Sequence, residues 1–360
     1  MNKEKINCFG LFTMMCSLTS ASIYGIFSSY IFNKSKNASF ISLLLGLIFI
    51  YIISKIIFNF FIKYPDLSFT NKIKNIFKKY HKIVLTLSIL SSLLGYILFT
   101  YRLTMFLSTQ YLVNTPKFLI LLLIIFITFY TSSKGLETTI RVSTITFYIS
   151  IIIFLFDFFS LVNQVKIDNM LPIINVSYEN IIISSILFSF YFTIPITNIF
   201  SLNLNQLEDK SKFKKYYYLS LLVSFLIALI SITTTIGISG IKINELFDYP
   251  IYTLLKRIHL FSFLDSLENI SIMLWILFII NTCTMSLLFI FNTTKETFNL
   301  TNKKSNIINF ILIIITFIIQ VFIFFKNNYN ESYNYIWIPF SILFIIFMIV
   351  LIAQIKDRFN

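Results

Sequence analysis

Two short runs of polar or helix-breaking residues sit inside long apolar stretches, where chemistry is hardest to place. Thr19, Ser20, Ala21 and Ser22 interrupt residues 11–32, and Thr193, Ile194 and Pro195 interrupt residues 181–202. An unsatisfied backbone amide in hydrocarbon costs several kcal/mol, so a helix breaks there only where the freed groups face protein, water or a ligand. Pro195 leaves the carbonyl of Tyr191 without its helical partner, and Phe190, Tyr191 and Thr193 would line the opening. The ends of half-helices carry partial charges that hold a carboxylate and an ammonium without charged side chains. Ser and Thr are also ordinary packing residues of membrane helices, which is the competing reading of the first run. The second, matching interruption favours a site for a small solute, with Thr19, Ser20, Ala21, Ser22, Phe190, Tyr191 and Thr193 as its ligand-binding candidates.

The elements that must position these residues are membrane spans. The chain has 360 residues, 57% hydrophobic and only 12% charged, with a mean hydropathy of +0.83, more apolar surface than one soluble core can hide. A span needs about 20 largely apolar residues. Ten stretches qualify: 8–32, 38–62, 83–110, 118–132, 138–162, 181–202, 217–239, 267–291, 307–325 and 335–355. The two interruptions fall in the first and the sixth, at matching places in two five-span halves. The expected fold is all-α and polytopic, one membrane domain over residues 1–360, with halves at about 8–163 and 180–356. Every hydrophilic interval is short. Within 73–80, Ile73, Ile76 and Phe77 share a helical face opposite Lys74, Lys78 and Lys79, which reads either as an amphipathic surface helix or as a solvated basic loop. Residues 249–257 have helical spacing after Pro250 and would cap the outer mouth.

The net charge of +14 is an orientation signal rather than a nucleic-acid surface. Lys and Arg crowd alternate loops, as at Lys72, Lys74, Lys78, Lys79 and Lys82 and at Lys210, Lys212, Lys214 and Lys215. The other loops hold only Lys34, Lys36, Lys117, Lys166, Lys242, Lys256, Arg257 and Lys326. This positive-inside bias places both termini in the cytoplasm. Cys8, Cys16 and Cys283 have no redox or metal-ligand spacing and read as small packing residues. His81 and His259 lie in opposite loops, and no HExxH, GxSxG or phosphate-cradling glycine loop is present, so neither an enzyme nor a cofactor is expected.

Charge inside the membrane is costly and is usually placed for a reason. Arg102, in the third span, would attract an anionic group in the outer vestibule, or else snorkel or close a packing contact. Asp157, near the outer end of the fifth span, suits a proton or cation site, or structural pairing. Lys55 reads as a snorkelling residue.

The order of short motifs resembles the spore germinant receptor B subunits, the GerAB-type branch of the amino acid/polyamine/organocation transporter superfamily. The resemblance runs over nearly the whole chain. Lys134-Gly135-Leu136-Glu137 with Arg141 is similar to that family's K-G-x-E followed by Arg, and Asp168 to Pro172 is similar to its stretch ending in Leu-Pro. Tyr249-Pro250, then Lys256-Arg257, then Phe263-Leu264-Asp265-Ser266-Leu267-Glu268 and Trp275 resemble its Y-P, F-L-E-R-L-D and Trp run. Arg102 and Thr115-Pro116 fall where the family has an Arg and a Thr-Pro. The resemblance implies two inverted five-helix repeats of the LeuT type, with substrate held between spans one, six, three and eight. It also implies a nutrient sensor in the spore inner membrane, beside an A subunit and a lipoprotein C subunit. It gives Glu137 and Arg141, four residues apart on one helix, a structural or gating role on the cytoplasmic side; Arg102, Asp157 and Pro195 are grouped with them. Two departures stand out. Thr193-Ile194 replaces the family's Gly-Glu, and the Asn281-Thr282-Cys283 region replaces a Lys in span eight, which points to a neutral or zwitterionic ligand or to lost binding. A working permease for amino acids, coupled to H+ or Na+, is the alternative function, and a scaffold with a decayed site is the third reading.

Overall fold

The computed structural model describes residues 5–23, 27–256, 267–324 and 345–356. Arg257, His259, the 263–266 motif and the beginning of the tenth expected span lie outside these residues, and of Leu267 and Glu268 only the backbone is described. The described residues are helical apart from their loops, with one parallel bridge between Ile6 and Leu207. Seven helical stretches are long and apolar enough to cross a membrane, and three shorter apolar helices accompany them.

The chain opens on α1 (Cys8–Ser20), whose first turn is capped by the side chain of Asn7 accepting from the amide of Phe9. A short α2 (Ser28–Ser35) leads into α3 (Ser39–Ile62), and Ser68 caps α4 (Phe69–Phe77). Next come α5 (His81–Gln110), α6 (Lys117–Ser133) and α7 (Leu136–Leu161). Gly135 precedes α7 at φ 88°, a conformation that costs a residue with a Cβ. Then α8 (Tyr178–Thr193) runs into a 3-10 helix (Ile194–Ser201), and α9 (Phe213–Ser239) stops at Gly240, φ 69°. Short α10 (Ile241–Asn244) and α11 (Pro250–Leu255) precede α12 (Leu267–Thr297), α13 (Asn302–Ile319) and α14 (Ile345–Lys356).

At the centre stands α1, which packs against α7, α9 and α12 and buries all but one of its residues. Around it, α3 packs on α8, and α5 on α6 and α12. The outward faces of α6 and α7 are apolar, with Leu123, Phe126, Ile145, Ile152 and Phe159 exposed. That is the face of a protein whose solvent is lipid. Interior hydroxyls cost little, because they donate to carbonyls one turn back on their own helix: Thr100 to Tyr96 at 2.8 Å, Thr282 to Phe278 at 2.9 Å and Ser286 to Thr282 at 3.0 Å.

Several expectations change in detail. The first span is two helices of 13 and 8 residues rather than one interrupted run. The basic stretch at 73–80 is the end of α4 plus a 3-10 turn, but Ile73, Ile76 and Phe77 are buried on protein, against α5 and α12, rather than left facing a leaflet. Two polar contacts fix it there: Ser68 Oγ donates to Glu296 at 2.7 Å, and Lys74 Nζ donates to the Glu296 carbonyl at 2.9 Å. The helix expected after Pro250 is α11. Tyr252, in α11, and Tyr249, just before it, set their rings edge-on to Phe106 of α5.

The α3–α8 seam is close enough to test by substitution. A Cβ at Gly46 would lie 2.7 Å from the Phe188 ring and 3.1 Å from the Ser185 carbonyl, whereas at Gly95 it would meet only Ile194, at 3.9 Å. Gly46→Val should destabilise the detergent-solubilised protein by roughly 1–3 kcal/mol through overpacking, with Gly95→Ala near neutral. Thermal unfolding of both variants checks this, and equal melting temperatures would refute the seam.

Candidate functional site

The first interruption begins later than its sequence suggests. Thr19 and Ser20 are the last residues of α1, and Ala21 still donates its amide to the Ser17 carbonyl. Beyond Ala21 the freed carbonyls meet donors in turn. Ser22 Oγ donates to the Thr19 carbonyl at 3.0 Å, Trp275 Nε1 of α12 donates to the Ala21 carbonyl at 3.0 Å, and the Phe27 amide donates to the Ser22 carbonyl at 3.1 Å. Thr19 Oγ1 lies 2.7 Å from Ser224 Oγ on α9.

At the second interruption the helix tightens rather than opens. Thr193 ends α8 with its hydroxyl donating to the Ser189 carbonyl at 2.7 Å, and Pro195 sits in the first turn of the 3-10 helix, where its missing N–H is tolerated. Asn198 Nδ2 donates to Ser286 Oγ of α12 at 3.0 Å. The Tyr191 ring lies 5.6 Å from that of Phe27, so the α8 end meets the chain just before α2. Phe190 is half-buried next to it.

These residues do not all face one another. Ser20 lines a cavity of about 30 Å³ with Cys16, Phe147, Ser150, Phe154, Ile227 and Phe278, a space for one water, on the side of α1 away from α8. Thr19 points to α9. Phe190, Tyr191 and Thr193 are not among that cavity's walls.

The charged candidates also separate. Arg102 is 2% exposed on α5, inside the protein rather than at a membrane surface, which removes the snorkelling reading. Asp157, 8% exposed, accepts from Ser271 Oγ of α12 at 2.7 Å through Oδ2, while its Oδ1 accepts no hydrogen bond. It faces a cavity of about 30 Å³ shared with Ser231 and Thr234 of α9 and Ile251, Leu254 and Leu255 of α11. Among the described residues no basic side chain lines it. Arg141 Nη2 lies 2.5 Å from Glu137 Oε1 in an exposed pair beside Asn7, Gly10 and Glu208. Such a pair is worth a few tenths of a kcal/mol.

Sequence reasoning gave too little weight to α12. Asn281 stands out in the sequence only as a departure, yet it is 4% exposed and its Nδ2 finds no acceptor among the described residues. At a rise of about 1.5 Å per residue it stands about 9 Å along the helix from Trp275 and about 7.5 Å from Ser286, between the levels of the two interruptions. An amide at the centre of so apolar a helix was the available signal. Gln320, fully buried beyond α13, is a second such residue: its Oε1 lies 3.2 Å from Thr100 Oγ1 and its Nε2 donates no hydrogen bond. Among the described residues no three His, Cys, Asp or Glu side chains group as metal ligands.

Trp275→Phe keeps a ring against Phe106, 4.9 Å away in the present structure, while deleting the donor to Ala21. A buried carbonyl left unpaired costs about 1–3 kcal/mol. The variant should melt earlier and exchange amide hydrogens faster around residues 20–28; unchanged exchange there would show that the indole does not hold the junction.

The chain as a whole matches a known group. A family model for spore germination proteins of the spore permease type covers residues 5–332. No curated protein sequence matches the chain. A multi-pass helical architecture with apolar faces turned outward, together with a family match over most of its length, makes this chain an integral membrane protein that belongs to the spore germination protein family.

Proposed function

We propose that this chain is the nutrient-sensing membrane subunit of a spore germination receptor, and that it binds a small solute such as an amino acid between the α1–α2 junction, the α8 to 3-10 transition and α12. Family membership sets the process. The observation that supports solute binding is the buried Asn281 amide, which has a donor to give and finds no acceptor among the described residues. A solute carboxylate or carbonyl would accept from it, in a region where Trp275 and Asn198 already tie α12 to both interruptions. The reading takes the chain as two inverted repeats, about 8–163 and 180–356, in ten spans with both termini cytoplasmic. Its partners are the A and C subunits in the spore inner membrane. With Thr193-Ile194 in place of Gly-Glu, the solute is neutral or zwitterionic. Bound there, it shifts the protein between states only by its difference in affinity for them, and that shift passes to the partner subunits.

A second reading, an amino acid permease driven by H+ or Na+, is favoured by Asp157, whose Oδ1 has no hydrogen-bond partner among the described residues. If it holds, purified protein in liposomes accumulates a labelled amino acid under an imposed gradient and Asp157→Asn abolishes that accumulation. No uptake under either gradient would leave the sensor.

The sensor reading is checked by thermal unfolding of the purified chain with amino acids, sugars and nucleosides. A ligand present at about 100 times its Kd adds about 2.7 kcal/mol to the folded state. We expect one chemical class to raise the melting temperature, and Asn281→Ala and Thr193→Trp each to erase the rise. Spores lacking the gene should stop responding to that same class, and normal germination on every nutrient would overturn the assignment.

A further inference from the structure

A large cleft lies away from the proposed solute site. It encloses about 650 Å³ between the end of α3, the start of α9 and the loop before α9, and is lined by Tyr51, Lys55, Asn59, Lys210, Lys214 and Tyr218 among others. Three of the described lining residues are lysines and none of the described ones is acidic. We propose that this cleft is a binding site for the phosphodiester headgroup of an anionic phospholipid, with the acyl chains lying along the exposed stripes of α3 and α9.

The stripes follow from helical spacing. Ile48, Tyr51, Lys55, Asn59 and Ile62 recur every three or four residues on α3, and Lys214, Tyr218 and Leu222 every four on α9. Both helices have their lysine-bearing ends at the cleft, and both stripes turn apolar farther along. Ile48, Ile52, Leu222 and Leu226 are exposed there, on the lipid-facing surface. A ligand seated on the lysines therefore has a hydrocarbon path leading out of the cleft, which suits a lipid and gives a soluble phosphate nothing to gain. Tyrosines at Tyr51 and Tyr218 are of the type that sits at headgroup level, and Lys55 Nζ stands 5.8 Å from the Tyr51 ring centre.

The lysines are held by few carboxylates. Lys210 Nζ donates to Asn205 Oδ1 at 2.5 Å, and Asn205 Nδ2 donates to Asp66 Oδ1 at 2.8 Å, so Asp66 reaches the cleft only through an amide. A lone snorkelling lysine needs no cavity. Three converging on one cleft at a helix–helix boundary make a basic pocket of the kind that selects anionic headgroups.

Native mass spectrometry of the full detergent-solubilised chain, offered equal amounts of dioleoyl phosphatidylglycerol and dioleoyl phosphatidylcholine, tests the site. We expect retention of phosphatidylglycerol over phosphatidylcholine and about a fivefold loss of that preference per lysine removed, the size of one basic residue's attraction to an anionic surface. Lys55→Gln, Lys210→Gln and Lys214→Gln together should bring the two lipids to parity, while Lys78→Gln, Lys79→Gln and Lys82→Gln together, the same charge removed from another place, should leave the preference intact. Parity in the unsubstituted chain overturns the proposal, as does equal loss in both triple variants. Displacement of phosphatidylglycerol by inorganic phosphate would also overturn it, by assigning the cleft to a soluble anion.

Discussion

A carbonyl released inside a bilayer must find a donor, and at Ala21 it finds the indole of Trp275. Much of the architecture depends on that demand. The junction between α1 and α2 exists because the carbonyls of Thr19, Ala21 and Ser22 are each met by a side chain or an amide from within the protein. The α8 end takes another route: the chain tightens to a 3-10 helix after Thr193 and keeps its backbone hydrogen bonds local. Both solutions use α12, through Trp275 at one level and Ser286 at the other. That accounts for so long a helix being buried along most of its length.

The same demand made some features legible in the sequence and hid others. Apolar runs of span length, the Pro195 punctuation, the amphipathic pattern of α4 and the helix after Pro250 could all be read from spacing, because each rests on local geometry. The start of the first interruption was placed too early. Thr19 and Ser20 have the composition of a break, but their hydroxyls are also compatible with a helical backbone, and Thr19 Oγ1 lies 3.0 Å from the Met15 carbonyl. The placing of α4 on protein instead of on lipid was not legible, since a membrane surface and a neighbouring helix ask for the same amphipathic pattern.

The sequence names candidate positions but not the directions they face. Of the seven around the two interruptions, six are polar or aromatic, yet the helical twist turns Thr19 toward α9, Ser20 toward α7 and Tyr191 toward Phe27. Direction around a helix, about 100° per residue, separates neighbours in sequence once both are helical. Asn281 illustrates the converse: its amide stands out in an apolar helix, but that it is buried with no acceptor among the described residues comes from three-dimensional contacts.

The bridge between Ile6 and Leu207 is small, but it lies at the opposite end of α1 from Ala21. There the Ile6 amide donates to the Gln206 carbonyl at 2.7 Å, and the Glu208 amide donates to the Ile6 carbonyl at 3.0 Å. With its lower end fastened to the segment before α9 and its upper end to Trp275 of α12, α1 is a rod clamped at both tips to later parts of the chain. A rod held in that way resists tilting on its own and is carried bodily with its clamps.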